Sequence, residues 1–94
     1  MTRSKAMSFN VAAAVILGAC AVAGPTGAPG GVMYAGLMSS GYTFTEYQSI
    51  MAALEHNGLV EKSGECYTLT DKGIVMNARI DRAISEHQQQ RAAA

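Results

Sequence analysis

Leu54-Glu55-His56-Asn57-Gly58-Leu59-Val60, followed by Gly64-Glu65-Cys66-Tyr67-Thr68-Leu69-Thr70-Asp71-Lys72-Gly73, reads as a helix end, a tight hairpin and the start of another helix. Asn57-Gly58 is a pair that tolerates the left-handed backbone closing a helix. Ser63-Gly64 sits midway through alternating strand formers, where a hairpin needs residues that turn sharply. Thr70 has the side chain of an N-cap, and Asp71 falls at the positive end of the helix that follows.

Moving towards the N-terminus, Ser39-Ser40-Gly41-Tyr42 makes a turn and Thr43-Phe44-Thr45-Glu46 opens a helix with a capping box. The Thr43 hydroxyl accepts from the Glu46 amide, the Glu46 carboxylate reaches back, and Tyr42 is placed to staple onto Tyr47. Tyr47, Ile50, Met51 and Leu54 recur at i, i+3, i+4 and i+7, which makes one apolar stripe for a core. Thr45, Gln48, Ser49 and Ala52 point almost opposite to it, with His56 at the far end of the same face.

The remaining elements follow from punctuation. Ser8 is an N-cap candidate for a first helix running over about 8–23, ended by Gly24-Pro25. Gly24 to Gly31 is turn chemistry throughout and lacks the Gly-Lys-Ser/Thr ending of a phosphate-cradling loop. It leads to a short helix from about Gly31 to Met38. The helix-turn-helix then spans about 31–57, the hairpin about 59–70 and the C-terminal helix about 71–90. Met76, Ile80, Ala83, Ile84 and His87 form one stripe on that last helix.

Ninety-four residues, 49% of them apolar, make a single domain over 1–94. Seven basic and seven acidic residues cancel, whereas a duplex binder acting alone usually shows a clustered positive footprint. Cys20 and Cys66 are too few for a disulfide framework, and with His56 and His87 they are too scattered for a zinc-ligand spacing. No nucleophile-base arrangement, paired carboxylates or cofactor loop is present, so the chain is read as non-enzymatic, without cofactor or metal.

Arg3 and Lys5 precede the apolar run Val11 to Cys20, the charged-then-apolar order of a secretory signal with a lipoprotein-like cysteine. The run to Ala23 is short for a membrane span and is built of Ala rather than Leu. It is read instead as a buried helix of a cytoplasmic protein, with no membrane partner. A helix apolar all round needs cover on more than one side, which predicts a homodimer. Val11, Val15, Ile16, Met76, Ile80 and Ile84 are the interface candidates.

From about Pro29 to Gly73 the chain resembles winged helix-turn-helix regulators of the multiple-antibiotic-resistance-regulator type. The residues that carry the resemblance are Leu54, Gly58-Leu59-Val60 and Leu69-Thr70-Asp71-Lys72-Gly73. It implies a mainly α fold with a small β-hairpin: a three-helix core, a two-stranded wing and a C-terminal helix. It also implies a transcription regulator that sets its third helix in the major groove of double-stranded DNA and its wing on the backbone. Gln48 is the base-reading candidate, since Gln pairs bidentately with adenine. Thr43, Thr45, Ser49, His56 and Ser63 supply further polar contacts, and Lys62, Lys72, Arg3 and Lys5 supply charge.

Two departures from the family pattern point elsewhere. The helix from Thr43 to Asn57 carries Glu46 and Glu55 but no Lys or Arg, and Lys62 stands between Glu61 and Glu65. The alternative reading is a protein-interaction module that does not bind DNA: a subunit of an assembly, or a phage- or plasmid-encoded inhibitor such as an anti-CRISPR. Six methionines and Tyr-rich patches suit adaptable contacts with a protein partner.

Overall fold

In the computed structural model, which describes the backbone of residues 5–93 and the side chains of residues 9–86, the hairpin and its flanking helices form as the local sequence dictates. The preceding helix, α3 (Phe44–His56), opens on the expected capping box. The Thr43 amide donates to Glu46 Oε1 at 2.8 Å and the Glu46 amide to Thr43 Oγ1 at 3.1 Å. It closes at Gly58, whose φ of 71° suits a residue without Cβ. Gly58 N–H bonds Glu55 O at 3.0 Å and Leu59 N–H bonds Leu54 O at 2.9 Å, the paired bonds of a Schellman motif. Leu54 and Leu59, both buried, provide its apolar contact.

Strands β2 (Val60–Ser63) and β3 (Cys66–Leu69) pair antiparallel, with Lys62 opposite Tyr67 and Val60 opposite Leu69. The C-terminal helix, α4 (Asp71–Ala93), is capped by Thr70. Thr70 does three things there: its N–H bonds Leu59 O at 3.1 Å, its hydroxyl donates to Gly58 O, and the same oxygen accepts from Gly73 N at 3.0 Å. The end of α3 and the start of α4 are thereby joined through one side chain.

Three further elements precede these. Helix α1 (Lys5–Ala23) runs into a 3-10 turn, Gly24–Thr26, then β1 (Ala28–Pro29), then α2 (Gly30–Ser39). The expectation that Ser8 caps the first helix is overturned, because the helix already begins at Lys5; Ala6 and Met7 are strong helix formers that carry it past Ser8. A third strand also appears in what reads locally as pure turn. Ala28 pairs with Tyr67 and Pro29 with Cys66, giving the sheet order β1-β3-β2. Proline is admissible there because β1 is an edge strand.

The result is a mainly helical fold with a small three-stranded antiparallel sheet. Its core gathers Ala12, Ile16, Leu17 and Cys20 from α1, Met33 and Leu37 from α2, and the α3 stripe of Tyr47, Ile50, Met51 and Leu54. Tyr67 closes it from β3. By length and composition the window Phe9–Thr26, of mean hydropathy 1.7, is apolar enough to cross a membrane. One strip of that helix packs into the core, and the opposite strip is exposed.

Burial of Tyr47, with Tyr67, Cys20 and Glu55 adding smaller effects, pushes its phenol above the ordinary value near 10. Its hydroxyl donates to Gly30 O at 3.1 Å. A raised folded pKa means the unfolded chain ionises first, so this contribution is whole below about pH 10 and is lost as pH climbs through the folded value. Tyr47→Phe is expected to lose about 1 kcal/mol at neutral pH. It is also expected to show a shallower alkaline decline than the parent in urea melts run from pH 8 to 11.

Gly73 is required for a different reason. A Cβ placed on it would stand 2.0 Å from the Leu59 carbonyl oxygen, a backbone atom that is itself held by Thr70. Gly73→Ala is expected to cost roughly 1–3 kcal/mol by overpacking, and Thr70→Ala about 2 kcal/mol through the lost cap and the stranded carbonyl. Thr70→Ser retains the hydroxyl and is expected to keep most of the stability. Equilibrium urea denaturation of the three variants measures this order.

Candidate nucleic-acid interface

The outward face of α3 is set by its inward one. With Tyr47, Ile50, Met51 and Leu54 buried, helical geometry turns Thr45, Gln48, Ser49 and His56 to solvent, and all four are exposed. Aromatic packing fixes the start of the helix: the Tyr34 ring meets Phe44 edge-on at 5.0 Å and Tyr47 at 5.4 Å. Thr43 is exposed, but its hydroxyl oxygen already accepts from Glu46 N, leaving its proton as the group available to a ligand.

The charged candidates divide between elements. Lys62 and Ser63 are exposed on β2, at the hairpin, and Lys72 is exposed in the first turn of α4. Lys62 Nζ lies 5.9 Å from the centroid of the Tyr67 ring, its cross-strand neighbour, at the outer limit of a cation–π contact. Arg3 lies outside the described residues, and Lys5 is described by its backbone alone. Among the described residues, then, α3 exposes hydroxyls, an amide, an imidazole and the Glu55 carboxylate, while the ammonium groups sit on β2 and at the start of α4.

The interface candidates separate into three groups. Val11 and Val15 are exposed at 53% and 54%, and Ile84 at 48%. Ile16 is a correction: it is fully buried within its own chain, because α1 turns it into the core beside Leu17 and Cys20. Met76 and Ile80 are half-buried against that same core, and they line a groove of about 440 Å³ between α1, the end of α3 and α4. Val22, exposed at 90%, was missed from the outer face of α1. Its place at i+7 from Val15 was the signal that could have found it.

The Met- and Tyr-rich surface that the protein-partner alternative draws on is largely turned inward, with Tyr47 and Met51 in the core stripe where helical periodicity placed them. Met33 and Met51 are buried, as are Tyr42, Tyr47 and Tyr67, because each lies on the inward side of its element or turn. Met38 remains exposed, and so does Phe44 at the start of α3. Both cysteines are free thiols. Cys20 packs its Sγ 3.9 Å from Met33 Sδ, and burial pushes its thiol up from the ordinary value.

A second opening, of about 540 Å³, lies where the end of α1, the 3-10 turn, β3 and the start of α4 converge. Ala21, Pro25, Leu69 and Ile74 make it mostly apolar, and Thr68 and Asn77 bring polar side chains to it. Neither opening involves the outward face of α3.

The two sides of α1 predict opposite mutational responses. Ile16→Ala is expected to cost about 2–5 kcal/mol through a core cavity, and Val15→Ser about 0.5 kcal/mol or less in the monomer. Urea melts at low protein concentration distinguish them. Comparison with protein-family models, with curated proteins and with solved structures finds no match to this chain.

Proposed function

We propose that the chain is a winged helix-turn-helix protein acting as a small DNA-binding transcription regulator, in which α3 enters the major groove and the β2–β3 hairpin rests on the backbone. The order α1-β1-α2-α3-β2-β3-α4, with the sheet order β1-β3-β2, supports that architecture. The observation that carries the function is the exposed row Thr45, Gln48 and Ser49 on the second helix of the α2–turn–α3 pair, whose opposite side is core. Such a row presents donors and acceptors of the kind that base edges require, next to a hairpin bearing a lysine.

Two protomers fit this reading better than one. A charge-neutral chain gains affinity for phosphate by doubling its few exposed lysines, and the outer strip of α1 with Val11, Val15 and Val22, together with Ile84 on α4, is apolar surface that a second copy would cover. A homodimer through these residues, located in the cytoplasm, belongs to the same proposal.

One observation favours a protein partner instead: the exposed side of α3 includes Glu55 and no Lys or Arg. On that reading α3 and the hairpin dock to a protein as a subunit or an inhibitor, including an anti-defence inhibitor, and DNA is not bound.

Fluorescence anisotropy with duplexes selected from a random pool separates the two. Each phosphate neutralised contributes about −0.9 to the slope of log K against log salt, so a dimer using Lys62 and Lys72 from each protomer is expected to give about −4. Lys62→Ala is expected to make the slope shallower by about 2 in the dimer, and Gln48→Ala to reduce discrimination at one base position by about 1–3 kcal/mol. Absence of duplex binding at low salt, in a sample that sediments as a dimer, overturns the DNA reading.

A further inference from the structure

We propose that the cavity at the foot of α1 is a binding site for a small neutral molecule with an apolar body and a carboxamide edge. The cavity measures about 540 Å³, within the range of roughly 300–1,000 Å³ typical of small-molecule sites. Its walls come from three elements that local chemistry holds in place: Gly24-Pro25 ends α1, β3 is paired on both sides, and Thr70 anchors the start of α4. Backbone closeness preserves the space. A Cβ on Gly27, just past the 3-10 turn, would stand 3.0 Å from Cys66 Cβ and 3.3 Å from the Thr68 methyl, so the turn lies tight against β3.

The chemistry of the lining sets the ligand class. Ala21, Pro25, Leu69 and Ile74 present carbon, and Ile74 is left 55% exposed at the rim, where an apolar occupant would cover it. Thr68 and Asn77 are half-buried, and neither side chain makes a hydrogen bond within the described residues. An Asn side chain offers one acceptor and two donors on a plane, which a carboxamide matches with a reciprocal pair of bonds, and the Thr68 hydroxyl can give or take a third.

An anion is disfavoured by its surroundings. Among the described residues no Lys or Arg lines the cavity, Asp71 occupies the first turn of α4, and Glu61 stands cross-strand from Thr68. At the start of α4 the Gly73 N–H is taken by the Thr70 hydroxyl and the Ile74 N–H by the Thr70 carbonyl, so neither is left to a carboxylate. The site rests on this geometry alone and stands or falls independently of DNA binding.

Indole-3-acetamide and indole-3-acetate, alike in shape and different in charge, are the probes. In 1H–15N correlation spectra of the intact chain without DNA, the amide is expected to produce saturable shifts centred on Ala21, Thr68, Leu69 and Asn77, and the acetate to bind at least tenfold more weakly. Asn77→Leu is expected to weaken the amide at least tenfold. Ala21→Phe, which plugs the mouth from an exposed position and so spares the core, is expected to abolish its binding. The proposal is overturned by equal binding of amide and acetate, by shifts that never saturate, by shifts centred on the groove lined by Met76 and Ile80, or by undiminished binding in Ala21→Phe.

Discussion

The Thr70 hydroxyl donates to the Gly58 carbonyl while accepting from the Gly73 amide, and the Thr70 amide bonds the Leu59 carbonyl. Through those contacts Gly58 and Leu59, which close α3, are joined to the first turn of α4. Everything downstream of α3 depends on this joint: the β2–β3 hairpin leaves and returns between the two helices, and its register is set at Val60 opposite Leu69, next to the joint. Gly73 is part of the same constraint, because the Leu59 carbonyl occupies the space that any side chain there would need.

A second knot ties the other end of the sheet. Gly30 N–H bonds Glu65 O at 2.9 Å, its carbonyl accepts from the Tyr47 hydroxyl, and its missing Cβ leaves room for both the Tyr47 hydroxyl and the Tyr67 ring. The hairpin is therefore held near the start of α2 as well as the end of α3. The two knots tie both ends of α3 to the hairpin and its neighbours, and its outward row of Thr45, Gln48 and Ser49 is positioned by those ties. Preorganised polar groups of this kind are what recognition of a regular surface needs, since little ordering entropy is then lost on binding.

Helix α1 has the opposite character. Its composition is apolar on every side, so the fold decides which strip is used: Ala12, Ile16, Leu17 and Cys20 go in, and Val11, Val15 and Val22 stay out. An outer strip of small and β-branched residues without charge suits close approach of another apolar surface, as the dimer proposal requires. The neutral balance of the chain has the same consequence, since self-association meets no net electrostatic penalty.

Local chemistry determined the elements that have strong end signals. The capping box at Thr43, the Asn57-Gly58 closure and the Thr70 cap can each be read from a few consecutive residues, because a cap is satisfied by neighbours in the chain. The inward stripe of α3, and with it the outward Thr45, Gln48 and Ser49, followed from helical periodicity alone. The start of α1 did not, since helix formers precede Ser8. Tertiary structure alone decided what depends on distant partners. Ala28-Pro29 is a strand only because β3 offers it an edge, against a local sequence rich in Gly and Pro. Ile16 and Val15 are chemically alike neighbours, and only packing of α1 against the rest of the fold sends one to the core and the other to the surface. The cavity beside Thr68 and Asn77 belongs to the same class: its walls come from elements far apart in the chain, so no local pattern could announce it.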